Sequence, residues 1–140
     1  MTAGSVAAAA TFTWVGMVLA ISFVEAPLKF RAPGVTAPIG LGIGRLVFRA
    51  LNAVELVLAL VVLSCLAART PPVATWVASG LAVAALAAQL LLVRPVLGRR
   101  TRAVLAGQEP PRSPAHLAYV ALEVGKLVAL LTGGVLLLTS

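Results

Sequence analysis

Four apolar stretches, each roughly long enough to cross a membrane, limit the possible folds of this chain more than any other feature. They run over residues 6–27, 44–68, 73–92 and 115–138. A helix needs about 20 apolar residues to cross about 30 Å of hydrocarbon. Lipid offers the backbone no hydrogen-bond partners, so such segments are helical. The sequence therefore predicts an all-α integral membrane four-helix bundle that forms one transmembrane domain over residues 1–140.

The charge content excludes other classes of protein. Charged residues make up 11% of the chain and hydrophobic residues 61%, whereas soluble domains carry about 25% charge. A disordered chain is excluded because disorder requires low hydrophobicity. The net charge is +7, but so apolar a chain has too little water-facing surface for a basic groove, and we expect no nucleic-acid partner. The wealth of Ala, Val and Arg is typical of a high-GC bacterial gene.

Basic residues are distributed unevenly between the connections, which predicts the orientation. The first connection and its edges contain Lys29, Arg31, Arg45 and Arg49, and the third contains Arg94, Arg99, Arg100, Arg102 and Arg112. The second connection contains only Arg69, and the tails contain none. The positive-inside rule then places the first and third connections in the cytoplasm and both termini outside. We expect a multi-pass protein of the inner (plasma) membrane of a bacterial cell.

The first and third connections differ in kind. Residues 32–44 contain no charge, and we expect them to lie in the membrane interface or to fold over the mouth of the bundle as a lid. The third connection contains several prolines, which are Pro95, Pro110, Pro111 and Pro114. Proline interrupts regular structure, so we expect this connection to be irregular and solvated.

Two of the spans each carry a stripe of polar side chains. On the second span they are Arg45, Arg49, Asn52 and Glu55, and on the fourth they are His116, Tyr119, Glu123 and Lys126. Neighbouring members are three or four residues apart, so each set shares one face of its helix. Charged side chains inside a membrane are costly and usually functional, which makes these stripes the main indication of a site.

Depth along the helices predicts which side chains meet. Both spans begin on the predicted cytoplasmic side, and each residue adds about 1.5 Å of rise. Glu55 and Lys126 then lie about 15 Å above the start of their stripes, and Asn52 and Glu123 about 10 Å above it. If the stripes face each other, Glu55 meets Lys126 near the midplane and Asn52 meets Glu123 a turn below.

The first and third spans add polar groups at the same end. Glu25 and Lys29 close the first span four residues apart, and Pro27 between them is expected to bend the helix. The third span contributes Gln89. The polar groups therefore converge in the cytoplasmic half of one bundle.

This set of side chains favours an intramembrane enzyme that acts on a lipophilic or amphipathic small molecule. The candidate catalytic residues are Glu55, Glu123, Lys126 and His116, with Glu55 and Lys126 as the deepest pair. The candidate substrate-binding residues are Asn52, Arg49, Tyr119, Glu25 and Lys29. Carboxyl and imidazole groups exchange protons with a substrate, and cations stabilise a developing oxyanion. Isomerisation, ring opening or hydrolysis would proceed at such a site without a cofactor.

Three other functions stay open. A proton-coupled small-molecule transporter would also need paired Glu and Lys at mid-depth, and with four helices it would be a homo-oligomer. A non-catalytic membrane assembly subunit would use the charges to fix helix register. A metal site would combine glutamates with His116, but the Glu-x-x-His pairs of di-iron bundles are absent from the sequence, and we expect no metal.

Simpler roles are open for individual residues. Side chains near the span ends can reach the membrane interface, and those in question are Lys29, Arg45, Arg94, His116 and Tyr119. Glu55 and Lys126 lie too deep for that role. Their simpler role is a buried ion pair that fixes the register of two helices.

Part of the second span resembles a known family. The run Arg49-Ala50-Leu51-Asn52-Ala53-Val54-Glu55 is similar to the span-two motif of the membrane-associated eicosanoid and glutathione metabolism proteins. The resemblance implies a trimer of four-span chains in which Arg49, Asn52 and Glu55 bind glutathione. One residue fewer separates Arg49 from Asn52 than in that motif.

Three other short runs resemble small uncharacterised bacterial four-span membrane proteins. These runs lie at residues 14–17, 26–30 and 44–48. The resemblance implies the same number of spans and carries no function with it.

Overall fold

The computed structural model describes residues 1–110 and 114–140, and the described chain is all-helical. Its four long helices are α1 (Ala3–Arg31), α2 (Ala37–Ala67), α3 (Val73–Leu105) and α4 (Ala115–Thr139). Each of them is long and apolar enough to cross a membrane, so the predicted fold class is confirmed to that extent. Arg112 and Pro111 of the third connection lie outside the described residues.

Local sequence explains where the first two helices begin. The Thr2 hydroxyl accepts a hydrogen bond from the Ser5 amide at 3.1 Å and caps α1. Thr36 accepts from the Ile39 amide in the same way at the start of α2. Such side chains satisfy amide groups that have no partner inside the helix. Gly34, with a φ of 82°, makes the turn between α1 and α2, in a region that residues with a Cβ rarely adopt.

The connections are shorter than the sequence indicates. Helix α2 begins at Ala37, so most of the uncharged segment 32–44 forms two helical turns instead of a loop. The expected irregular third connection is wrong for Arg94–Leu105, which continues α3 as a helix. Pro38 fits the first turn of α2 because an amide there has no intrahelical partner. Arginine and leucine are good helix formers, which favours the continuation of α3.

Two π-helical segments interrupt α1 and α3 close to their prolines. They are Leu19–Glu25 and Gln89–Val93. The amide of Ala26 bonds to the Ile21 carbonyl and that of Arg94 to the Gln89 carbonyl, five residues back in each case. Each of these amides directly precedes a proline. Proline cannot donate to the ordinary helix ladder, and local π geometry restores bonds to the carbonyl groups that it would leave free.

The helices form a ring in which chain neighbours are antiparallel. Helix α1 packs closely against α2 and α4, and α3 packs closely against α4. Helix α2 meets α3 less extensively and mainly through Arg94–Leu105. As a result, α2 and α4 lie across the bundle from each other, and side chains join them only by crossing its centre.

One half of the bundle is filled with apolar side chains. Trp14, Val18, Leu86 and Leu130 pack in its middle, and a second cluster around Leu66 closes the end that holds the chain termini. The outer surface is apolar as well. The leucines that are at least 66% exposed are Leu46, Leu60, Leu91, Leu92, Leu117 and Leu138. An apolar surface this extensive is rare on a soluble monomer and suggests a membrane protein.

Candidate functional site

The centre of the bundle contains a buried lysine held by three side chains. The Lys126 ammonium lies 2.5 Å from Glu55 Oε1, 2.5 Å from Glu123 Oε1 and 2.8 Å from Gln89 Oε1. None of these four residues is more than 1% exposed. The polar contacts of the Lys126 ammonium therefore connect α2, α3 and α4 at the centre of the bundle.

Further hydrogen bonds tie this cluster to α1. The Trp14 indole donates to Glu55 Oε1 at 2.8 Å, and the Ser22 hydroxyl donates to Glu123 Oε2 at 2.9 Å. Ser22 belongs to the first π-helical segment and Gln89 begins the second. The two proline-linked distortions of the helices thus lie at the depth of the cluster, and π segments frequently mark functional sites.

The cluster has more negative than positive groups. One ammonium faces two carboxylates, so the formal charge is −1 when all three are ionised. Charges without water need close partners. Glu55 Oε2 is buried and has no hydrogen-bond partner among the described residues. Two buried carboxylates therefore share one ammonium group.

A cavity of about 870 Å³ lies between the cluster and the end of the bundle where α2 begins. Ligand sites in proteins typically measure about 300–1,000 Å³. All four helices line this cavity, and Glu123 and Asn52 belong to its wall. Glu55 and Lys126 lie behind Glu123, outside the wall that the described residues form. Glu123 is thus the member of the cluster that a molecule in the cavity would touch.

Two polar side chains in the cavity wall lack ordinary hydrogen bonds. Asn52 is 6% exposed, and its Oδ1 atom has no partner among the described residues. The Tyr119 hydroxyl interacts electrostatically with Glu123 but makes no hydrogen bond of ordinary geometry within the described chain. Buried polar groups are normally satisfied, and each exception needs an explanation. A bound molecule with a donor group would satisfy Asn52.

Cationic and aromatic side chains surround the mouth of the cavity. The cationic residues in its wall are Lys29, Arg45, Arg49 and Arg94, and His116 lies beside them. The Lys29 ammonium lies 5.8 Å and the Arg94 guanidinium 5.5 Å from the Phe48 ring centroid. Phe48 also meets Tyr119 edge to face at 5.8 Å. The mouth is therefore positive, whereas the floor carries the carboxylate of Glu123.

The structure brings most of the candidate residues to one place. The expected meeting of Glu55 and Lys126 is confirmed at 2.5 Å, and Glu25 pairs with Lys29 at 3.5 Å. Asn52 and Glu123 both line the cavity, but no hydrogen bond joins them among the described residues, and Glu123 contacts Ser22 and Lys126.

The outer candidates occupy separate positions around the cavity. Arg49 and His116 are exposed at its mouth, and Tyr119 is buried in its wall. The catalytic and binding roles of these three residues stay predictions.

Sequence reasoning gave no role to several residues of the site. Trp14 and Ser22 carried no signal, because neither belongs to a polar stripe. Gln89 stood out as the polar residue of the third span, and its partners become visible only in the folded bundle. Arg94 was expected to set the orientation or to reach the membrane interface, and its contact with the Phe48 ring is visible only in the folded bundle.

The described residues contain no group of three His, Cys, Asp or Glu side chains placed to hold a metal ion. The cation between the carboxylates of Glu55 and Glu123 is instead the Lys126 ammonium.

No protein-family model, curated protein or solved structure matches this chain. Its function is therefore inferred from the geometry of the site and from the sequence.

Proposed function

We propose that this chain is a multi-pass protein of the plasma membrane of a bacterial cell, with both termini outside and the mouth of the cavity toward the cytoplasm. The length and apolar outer surface of the four helices support insertion. The arginines support the orientation, because those near the mouth outnumber Arg69 at the opposite end.

Within that membrane the protein acts as an enzyme on a lipophilic or amphipathic small molecule. The observation that carries this proposal is the carboxylate of Glu123, which lies in the wall of a ligand-sized cavity. Its two oxygens are held by Ser22 and Lys126. A carboxyl group fixed in this way exchanges a proton with a bound molecule as a general acid or base.

The surrounding side chains have complementary roles. Lys126 lies behind Glu123 and balances its negative charge, and the same ammonium holds Glu55. Asn52 and Tyr119 orient the substrate from the wall, and His116 and Arg49 contact its outer part at the mouth. Isomerisation, ring opening or hydrolysis are the reactions that such a set supports with its own acid and base groups.

The test compares Glu123→Gln with a matched control, Glu109→Gln. Glu109 is an exposed glutamate beyond the end of α3 and lies outside the cavity wall. Each purified protein is incubated in nanodiscs with a bacterial lipid extract, and consumed species are identified by mass spectrometry. General acid–base groups contribute about 10²–10⁴-fold to rate, so we expect Glu123→Gln to lose turnover by that factor and Glu109→Gln to retain it. Equal turnover by both variants, or no turnover by the wild type, would refute the proposal that this protein is an enzyme.

A proton-coupled small-molecule transporter is the second proposal. The two carboxylates that share Lys126 favour it, because paired Glu and Lys inside a membrane are typical of proton relays and Glu123 lines the cavity. Such a protein would be a homo-oligomer, since four helices are few for alternating access. A proteoliposome flux assay with an imposed pH gradient tests this function. Uptake that does not depend on the pH gradient would refute it.

A further inference from the structure

The positive charge at the mouth of the cavity exceeds the negative charge of the side chains around it. Among the described residues, Glu25 forms the one ion pair in this region, with Lys29 at 3.5 Å. Arg45, Arg49 and Arg94 line the cavity and pair with no carboxylate of the described chain. Unpaired guanidinium groups around a concave wall attract anions, and they bind carboxylate or phosphate with two parallel hydrogen bonds.

Two of these cations are held in place by packing. The Arg94 guanidinium lies over Phe48, within the range of a cation–π contact. The Lys29 ammonium lies near the same ring, and it also approaches Gly44 so closely that a Cβ there would come within 2.9 Å of it. Side chains fixed before binding lose less entropy when a ligand arrives. The mouth is therefore preorganised for an anionic group.

Membrane orientation alone does not account for Arg94. Arg99 and Arg102 continue the same helix as exposed residues outside the cavity wall, and they serve the positive-inside rule equally well. Arg94 differs from them because it is partly buried, stacked on Phe48 and part of the wall.

The deeper wall specifies the rest of the ligand. Asn52 Oδ1 is buried and lacks a donor among the described residues. It lies on α2 seven residues beyond Arg45, which is about 10 Å along the helix axis at about 1.5 Å per residue. Apolar side chains line the cavity between the helices, and they include Ala53, Leu56, Leu90 and Val120.

From this order of groups we propose that the ligand is a single-chain amphipathic anion. Its carboxylate or phosphate head lies at the mouth against Arg94, Lys29 and the neighbouring arginines. Its chain lies along the apolar wall, and a hydroxyl or amide group near Asn52 donates to Oδ1. The inference rests on the proposed function in that it names the substrate class of the same cavity, but it concerns binding and not the reaction.

Binding measurements on the full chain in nanodiscs test this inference. The probes are hexadecyl phosphate, hexadecanoate, uncharged hexadecanol, and inorganic phosphate as the free anion. They are measured by native mass spectrometry with the wild type and with Glu123→Gln, so that failure of the chemistry stays separate from failure of binding. We expect at least one of the two anionic amphiphiles to bind at least tenfold more tightly than hexadecanol and than inorganic phosphate. The same preference is expected for the wild type and for Glu123→Gln.

Three variants locate the head group. Arg94→Gln is expected to lose most of the preference for the anionic amphiphile, and Arg99→Gln on the same helix is expected to retain it. Phe48→Leu keeps an apolar side chain but removes the aromatic ring. This variant is expected to lose part of the preference for the anionic amphiphile. Size-exclusion profiles confirm that each variant is folded. Equal binding of hexadecanol, equal binding of inorganic phosphate, or equal effects of Arg94→Gln and Arg99→Gln would each overturn the inference.

Discussion

Replacing Lys126 with methionine tests whether the central cluster depends on its single cation. The methionine side chain has a similar length, so the change removes charge more than volume. It abolishes contacts of 2.5, 2.5 and 2.8 Å to Glu55, Glu123 and Gln89. Two buried carboxylates then face each other with no ammonium between them.

The expected loss follows from the burial of the cluster. Removing one partner of a buried ion pair costs about 3–5 kcal/mol, which is between two and four orders of magnitude in the unfolding equilibrium constant. Lys29→Met is the matched control. Its ion pair with Glu25 is longer, at 3.5 Å, and is partly exposed, and we expect it to cost less than about 1 kcal/mol.

The assay is equilibrium unfolding in mild detergent by titration with sodium dodecyl sulfate, followed by circular dichroism. A triple variant that adds Glu55→Gln and Glu123→Gln to Lys126→Met separates charge from packing. Because it removes both uncompensated carboxylates, it is expected to recover part of the lost stability. If Lys126→Met unfolds within about 1 kcal/mol of the wild type, or if the triple variant recovers nothing, the electrostatic reasoning is refuted.

Two further variants probe the packing around the site. Trp14→Phe removes the indole donor to Glu55 Oε1 and is expected to lower the unfolding free energy by about 1–3 kcal/mol; an unchanged detergent-unfolding midpoint would contradict the hydrogen bond's role. Gly133→Leu is expected to cost about 1–3 kcal/mol by overpacking, because a Cβ there already meets Ala78 at 3.5 Å, whereas Gly125→Leu finds open space and serves as its control. Equal thermal shifts of the two glycine variants would argue against a close contact between α3 and α4.

The polar stripes show how much of the site follows from periodicity. Residues spaced by three or four positions must share a helix face, and the rise per residue sets their depth. These two facts suffice to bring Glu55 to the height of Lys126, and the pair meets at 2.5 Å. The same reasoning brings Asn52 and Glu123 to the wall of one cavity. It did not identify Ser22 as a partner of Glu123, because height alone does not decide which of several nearby partners a side chain reaches.

Helix ends and local distortions were harder to derive from the sequence. Prolines in the third connection predicted an irregular segment, but Pro95 lies within a helix. A helix absorbs a proline when a wider turn re-pairs the freed carbonyl groups, and this depends on the packing around it. The π-helical segments at Leu19–Glu25 and Gln89–Val93 are the result.

The four apolar helices, and the faces and depths of their charged residues, follow from the amino-acid sequence, because hydrophobicity and helical period are properties of the chain alone. The hydrogen bonds of Trp14 and Ser22 to the two glutamates arise from the packing of the helices. Packing also places Glu123 in the wall of a cavity and Lys126 outside that wall. Partners across helices and the space left between them depend on how each helix rotates and packs against its neighbours, which no one-dimensional pattern contains.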